Sequence, residues 1–162
     1  MSKISPCLWF NGEAEEAATF YISLLPDSRI NHIQRNPADG PAGKASQALV
    51  VEFTLAGQNY MALNGGMRFD YTPAISFKID CADQAEVDRL WDALSSNGGA
   101  PQQCGWVKDR YGVSWQIVPM IMPQLLGGPD GEGAKRAMQA MLGMKKLDIA
   151  ALRRAYEGRS AA

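Results

Sequence analysis

The chain has 162 residues, 46% of them hydrophobic, with 16 Lys and Arg balanced by 17 Asp and Glu. That length buries one good core but would leave two full domains cramped, so a single domain over residues 1–162 is expected. Balanced charge without long runs of either sign argues against nucleic acid or an anionic membrane as partner.

No apolar run approaches the roughly 18 residues needed to cross a bilayer. The start, MSKISPCLWF, lacks a basic segment followed by a signal-length apolar region. A cytoplasmic protein is the expectation. Cys7, Cys81 and Cys104 are far apart and form no CxxC pair. They read as reduced, buried thiols rather than a disulfide frame or a structural zinc site.

In chain order, Ile4 to Phe10 reads as a strand ended by Asn11-Gly12. Glu13 to Leu25 reads as an amphipathic helix, with acidic residues in its first turn where the helix dipole favours them, stopped by Pro26. Ser28 to Asn36 alternates weakly, as an edge strand does, and PADGPAGK at 37–44 is a loop. Ala48 to Leu55 and Asn59 to Leu63 read as a hairpin turning at Ala56-Gly57-Gln58. The first 66 residues therefore run strand, helix, strand, strand, strand.

The order then repeats over 72–122. Ala74 to Asp80 reads as a strand with Ile75, Phe77 and Ile79 on one face. A helix over Gln84 to Ser96 follows, with Asp83 capping its start, Glu86 bonding back, and Val87, Leu90, Trp91 and Leu94 as its buried stripe. Asn97-Gly98-Gly99 suits a left-handed helix end. A weak strand precedes CGWVKDRYGVSWQIVP at 104–119, read as a hairpin of Cys104 to Lys108 and Val113 to Val118. In its second strand Val113, Trp115 and Ile117 share the face suited to a helix. Ser114, Gln116 and Val118 share the other, which either lines a cavity or meets solvent.

The tail, 123–158, begins with a Gly-Pro-Asp linker and continues as two helices. One carries Ala134, Ala137, Met138, Met141 and Leu142, and the other is capped by Asp148. A methionine-rich helix suits an adaptable interface but also fills gaps in a core. Of the two, contact with a second copy is expected here, because each βαβββ unit already has a helix of its own.

The double βαβββ order, with ALNGG at 62–66, TPAISF at 72–77, the 104–119 hairpin and AMQAMLGMKKLDIAAL at 137–152, resembles the PhnB-like proteins. These belong to the glyoxalase and bleomycin-resistance group, the vicinal-oxygen-chelate superfamily, and are often labelled demethylubiquinone 3-methyltransferase-like. The resemblance covers nearly the whole chain. It implies an α+β fold of two curved half-barrel sheets plus C-terminal helices, a homodimer, and a concave site that in many members holds a divalent metal.

On that pattern the metal-ligand positions fall on Ser5, Met61, Ala74 and Gln116, of which only Gln116 has a suitable donor. His32, the single histidine, lies on the edge strand. No metal and no other cofactor is therefore expected, which disfavours glyoxalase and extradiol dioxygenase chemistry. Methyl transfer is disfavoured too, since no glycine-rich loop leads from a strand into a helix. By alternation the concave face carries Ser5, Cys7 and Trp9, then Glu52 and Thr54, then Met61 and Leu63. The second unit adds Ser76, Lys78, Cys104, Trp106, Ser114, Gln116 and Val118. Trp9, Glu52, Leu63, Ser76, Lys78, Trp106, Ser114 and Gln116 are the expected ligand contacts. Glu52 and Lys78, if neighbours, form an ion pair or an acid and base couple. Three readings follow: a metal-free small-molecule binding protein, an enzyme of the glyoxalase, dioxygenase or transferase kind using Glu52 and Gln116, or a structural or regulatory dimer whose cavity is filled by its own side chains.

Overall fold

A computed structural model describes residues 3–159. The chain divides into two compact units, Met1–Asp70 and Tyr71–Ala162. The first runs β1 (Cys7–Phe10), α1 (Ala14–Ile22), β2 (Arg29–Arg35), β3 (Ala48–Leu55) and β4 (Gln58–Asn64). Its four strands form one open sheet in the order β1-β4-β3-β2. β1 and β4 are parallel and the remaining pairs antiparallel. The second unit runs β5 (Phe77–Cys81), α2 (Gln84–Ser95), β6 (Ala100–Pro101), β7 (Trp106–Lys108) and β8 (Ser114–Pro119). Its sheet has the order β5-β8-β7-β6, again first, fourth, third, second. The repeated βαβββ plan read from the sequence is present in both units.

Each helix covers one sheet face. α1 brings Ala14, Ala17, Ala18 and Tyr21 down on β3 and β4, and its three alanines let the helix lie close. Tyr21 reaches Phe53, with ring centroids 6.5 Å apart. No side chain of its own caps α1. The buried Asn64 does so from the end of β4: its Oδ1 accepts the N–H groups of Gly12 (2.9 Å) and Ala14 (3.1 Å), and its Nδ2 donates to the Ala48 carbonyl. α2 is capped as its sequence predicts, with Asp83 accepting from the Glu86 N–H at 2.9 Å. The Glu86 carboxylate reaches back to the Ala82 N–H at 2.8 Å, one residue earlier than expected. Val87, Leu90, Trp91 and Leu94 are buried, and each such side chain contributes roughly 1.5–3 kcal/mol by leaving water. The helix is ended by Ser96, which is already extended (φ −75°, ψ 166°), so the positive φ of Asn97 and Gly98 falls in the turn beyond it rather than in the left-handed cap the sequence suggested.

Four boundaries differ from the sequence reading. Ile4, Ser5 and Pro6 extend no strand, so Ser5 precedes β1. Ala74 and Ile75 lie in a turn, and Ile75 is 77% exposed rather than sharing the buried face of Ile79, because Pro73 and the turn after it delay β5 until Phe77. Cys104 lies in a turn with φ 58°, so the first hairpin strand begins only at Trp106. A short helix, α3 (Met122–Gly127), stands where no element was expected.

The hairpin of β7 and β8 is locked by Asp109, which is 2% exposed. Its Oδ1 accepts the N–H groups of Tyr111 (2.9 Å) and Val113 (3.0 Å), and its Oδ2 accepts the Trp115 indole N–H at 2.8 Å. Gly112 completes the turn at φ 90°, donating its N–H to the Asp109 carbonyl.

The tail continues as α4 (Gly131–Leu142) and α5 (Ile149–Tyr156), and with α3 it encloses a small core of Met122, Leu125, Ala137, Leu147 and Leu152. Met141 and Val118 pack against that core. The methionine-rich helix thus covers the tail's own apolar residues, one of the two roles its composition suits. Met138 and Leu142 remain exposed.

Cys81 is buried, and loss of solvent, followed by the nearby Glu86 and Asp80 carboxylates, pushes its thiol up to about 12. Cys7 is exposed, contrary to expectation, although partial burial still raises its thiol. At pH 8 a thiol-specific disulfide reagent should therefore label Cys7 in the folded protein and Cys81 only after denaturation; labelling of Cys81 in the folded protein would contradict this. Replacing Asp109 strands three donors in the hairpin. Asp109→Ala should cost about 3 kcal/mol in urea unfolding and Asp109→Asn, which keeps an acceptor for the two backbone N–H groups, about 1 kcal/mol.

Candidate functional site

Pairing register fixes which side chains lie together on the faces that the helices leave open. In the first unit one row across the sheet is Cys7, Met61, Glu52 and His32, and the next is Trp9, Leu63 and Val50. Trp9, Val50, Met61 and Leu63 are half-buried, while Glu52 and His32 are exposed. Between them runs the helix-covered row Leu8, Ala62 and Val51, all buried. Thr54 also has the open-face parity, but it is buried and bonded to the Asn31 and Asn59 side chains.

Trp9 is fastened in place. Its indole Nε1 donates to the Met67 carbonyl at 2.7 Å, and its ring meets Phe69 edge-on at 5.3 Å. Gly65 presses against the same ring: a Cβ there would come within 1.8 Å of the indole. The glycine of the ALNGG motif is thus a packing requirement of Trp9. No helix lies between Asn64 and Phe77, so Gly65-Gly66 does not open a helix as a nucleotide-binding loop does.

In the second unit Lys78, Gln116 and Trp106 stand side by side on neighbouring strands. Gln116 and Trp106 are half-buried and Lys78 is exposed. The Gln116 amide Nε2 donates to the Ser76 hydroxyl at 2.8 Å. That bond leaves the Gln116 carbonyl oxygen as an acceptor and the Ser76 O–H as a donor. Ser76 itself precedes β5. Lys78 pairs with Asp80, a neighbour on its own strand, at 2.6 Å. Glu52 lies opposite His32. Ser114 keeps the parity of Gln116 but is buried, opposite Lys108. Val118 turns toward the tail core, and Cys104 belongs to the turn before β7. The register thus brings together Trp9 with Leu63, and Trp106 with Gln116, Lys78 and Ser76.

The opposite set on β8 is dry. Trp115 and Ile117 are buried, Trp115 lies against Phe77 at 5.3 Å, and Val113 just before the strand is also buried.

Among the described residues no three of His, Cys, Asp and Glu converge on one point. Of the four positions the resemblance marks for ligands, Ser5 is outside any strand, Ala74 is in a turn, Met61 offers only a thioether, and Gln116 alone offers an oxygen donor. Hard and borderline divalent ions prefer imidazole and carboxylate to such groups.

Sequence reasoning missed one concavity. A cleft of about 570 Å³ in the first unit is lined by Asn11, Glu15, Arg35, Gln47, Asn64 and Gly66 among others. Arg35 spans it to Glu15 with two contacts of 3.1 Å and also donates to the Ser46 carbonyl. None of the expected ligand contacts lines it. The 37–44 loop and Gly65-Gly66 were its only traces in the sequence, and neither signals a pocket without the pairing that folds one over the other: a Cβ on Gly66 would lie 1.9 Å from the Pro41 carbonyl oxygen.

Comparison with known proteins places this architecture. The model of the 3-demethylubiquinone-9 3-methyltransferase family matches residues 2–118. A structure described as a putative 3-demethylubiquinone-9 3-methyltransferase, PhnB protein, from Bacillus cereus is 37% identical, covering 73% of this chain and 99% of that one with a TM-score of 0.66. The PA1353 protein of Pseudomonas aeruginosa shares the fold at 22% identity, covering 74% and 98% of the two chains with a TM-score of 0.60. No curated protein matches the chain. The matched stretch stops before the helical tail, so the motif at 137–152 does not carry the assignment, and the resemblance is narrower than the sequence reading made it. Family model and structural likeness agree, and the chain belongs to the 3-demethylubiquinone-9 3-methyltransferase family, as a PhnB-like member.

Proposed function

We propose that this protein binds a small molecule without a bound metal, on the sheet faces opposite its helices, and acts as a cytoplasmic homodimer. The observation that carries the reading is the row Trp106, Gln116 and Lys78, which sets an aromatic ring, an amide with a free acceptor and a charge pair side by side on a half-buried surface. Ligand sites are mostly apolar with a few placed polar groups, and this row has that composition. Trp9 and Leu63 offer a similar but more apolar surface in the first unit.

The ligand that suits these groups is flat and partly apolar. An indole face accepts an aromatic or conjugated ring, and the Gln116 oxygen with the Ser76 hydroxyl selects a partner bearing both a donor and an acceptor. Absence of imidazole and carboxylate at the superfamily ligand positions supports metal-free binding. Met138 and Leu142, exposed on α4, support a contact between copies. No helix among the described residues is long and apolar enough to cross a membrane.

Native mass spectrometry of protein purified without chelator should show a dimer carrying a retained small molecule and less than one divalent ion per ten chains. Excess EDTA should change neither retention nor melting temperature. A stoichiometric ion, or a melting point that falls with EDTA, would overturn the metal-free reading, and a monomer at micromolar concentration would overturn the dimer. Gln116→Ala removes one hydrogen-bonding group of about 1–1.5 kcal/mol, which corresponds to roughly five- to tenfold weaker retention. Unchanged retention would show that the ligand lies elsewhere.

A further inference from the structure

We propose that the link between α4 and α5 is a clamp that sets the position of Trp106, so that residues outside the family's matched stretch shape the ligand face of the second unit. The ligand consequence rests on the function proposed above; the clamp rests on geometry alone. Trp106 follows two residues in the left-handed conformation, Cys104 at φ 58° and Gly105 at φ 81°. Such a pair does not persist unless surrounding contacts hold it, since a non-glycine residue there is disfavoured.

The tail supplies those contacts. The Cys104 N–H donates to the Met144 carbonyl at 2.8 Å, and the Gly105 N–H donates to the Lys145 carbonyl at 2.7 Å. On the other side the Gly105 carbonyl accepts the Ile117 N–H at 2.8 Å. The turn is wedged between β8 and the tail: a Cβ at Gly105 would meet the Ile117 carbonyl oxygen at 2.8 Å and the Leu147 side chain at 3.0 Å.

The clamp is in turn bolted to α2. The Gln84 amide donates to the Leu147 carbonyl at 3.1 Å and accepts the Ile149 N–H at 2.8 Å, so one side chain holds both flanks of Asp148. Lys146 pairs with Asp88, one turn further along α2, at 2.8 Å. Hydrogen bonds from Lys146 and then from Gln84 hold the Asp88 carboxyl below its ordinary range, as a maintained contact does. Leu147 is 1% exposed and belongs to the tail core. The path therefore runs from α2 through Gln84 and Leu147 to the turn, and the next residue is the indole that faces Gln116.

The test uses the full chain with Gln84→Ala, Lys146→Met and Leu147→Ala. Arg136→Ala serves as a control, because it loosens α4 from α5 at the Ala155 and Tyr156 carbonyls without touching the 144–147 link. The readouts are amide exchange at Cys104 and Gly105 and the indole N–H resonance of Trp106, assigned with Trp106→Phe. Gln84→Ala should speed exchange at both amides at least tenfold and shift or broaden the Trp106 indole, while the Trp9 indole and the control stay unchanged. Should Leu147→Ala fail to fold, Gln84→Ala and Lys146→Met decide the matter. Amides that stay protected and a Trp106 resonance that stays in place in these variants would overturn the clamp. None of these readouts needs a ligand, so a wild-type protein that retains no small molecule would sink the binding reading and leave the clamp to be judged on the indole. Where a ligand is retained, Gln84→Ala should weaken it threefold or more; a moved indole with unchanged retention would overturn the link to binding.

Discussion

A strand sends alternate side chains to opposite faces, and each βαβββ unit has a single helix with which to cover one of them. The remaining features of this protein follow from that mismatch. Val51, Phe53, Ala62 and Leu8 go under α1, and Val107, Trp115 and Ile117 go to the buried face of the second sheet. Their neighbours are left on the other side by parity, whatever their chemistry. A slip of one residue in β8 would bury Gln116 without a partner and expose Trp115, so the register that keeps the core dry also decides which groups stand on the open face.

Alternation alone produces a generic face, and a few polar fastenings make it specific. Asn64 ties the start of α1 to the end of β4, and Asp109 ties the β7 and β8 hairpin to the indole of Trp115. Both groups are buried and fully engaged, the condition under which a polar side chain in a core rigidifies the fold. The two open-face tryptophans show how such fastenings separate positions that look alike. Trp9 has its indole N–H occupied by the Met67 carbonyl and its ring pinned by Gly65 and Phe69, so it acts largely as a wall. Trp106 has Gln116 beside it and is positioned from behind by the turn at Cys104 and Gly105. The second unit thus carries the richer chemistry.

The helical tail lies beyond the residues shared with the family, yet it is no loose appendage. It has its own small core and is joined to α2 and to the turn before β7 by hydrogen bonds at 2.7–3.1 Å as well as by the Lys146–Asp88 pair. A member of the family without such a tail would need another device to hold two consecutive left-handed residues at that turn. The family name points to methyl transfer, but the segment after Gly65-Gly66 does not enter a helix, and the chemistry that the second sheet displays is that of an aromatic shelf with an amide.

Local chemistry was legible in the sequence wherever neighbours along the chain decided the outcome. The Asp83 and Glu86 cap, the stripe from Val87 to Leu94 and the twofold βαβββ order all rest on contacts within a few residues, and all are present. Side-chain parity on β8 follows from the same short-range geometry. What the letters could not decide were partnerships across strands and elements: Asn64 as the cap of a helix 50 residues away, Cys104 bent into a turn by the tail's carbonyls, and the cleft spanned by Arg35 and Glu15. These depend on which segments are brought together and in what register. Distance along the chain carries no record of that, and only the folded arrangement, where burial requires every polar group to find a partner, selects one set from the many that composition allows.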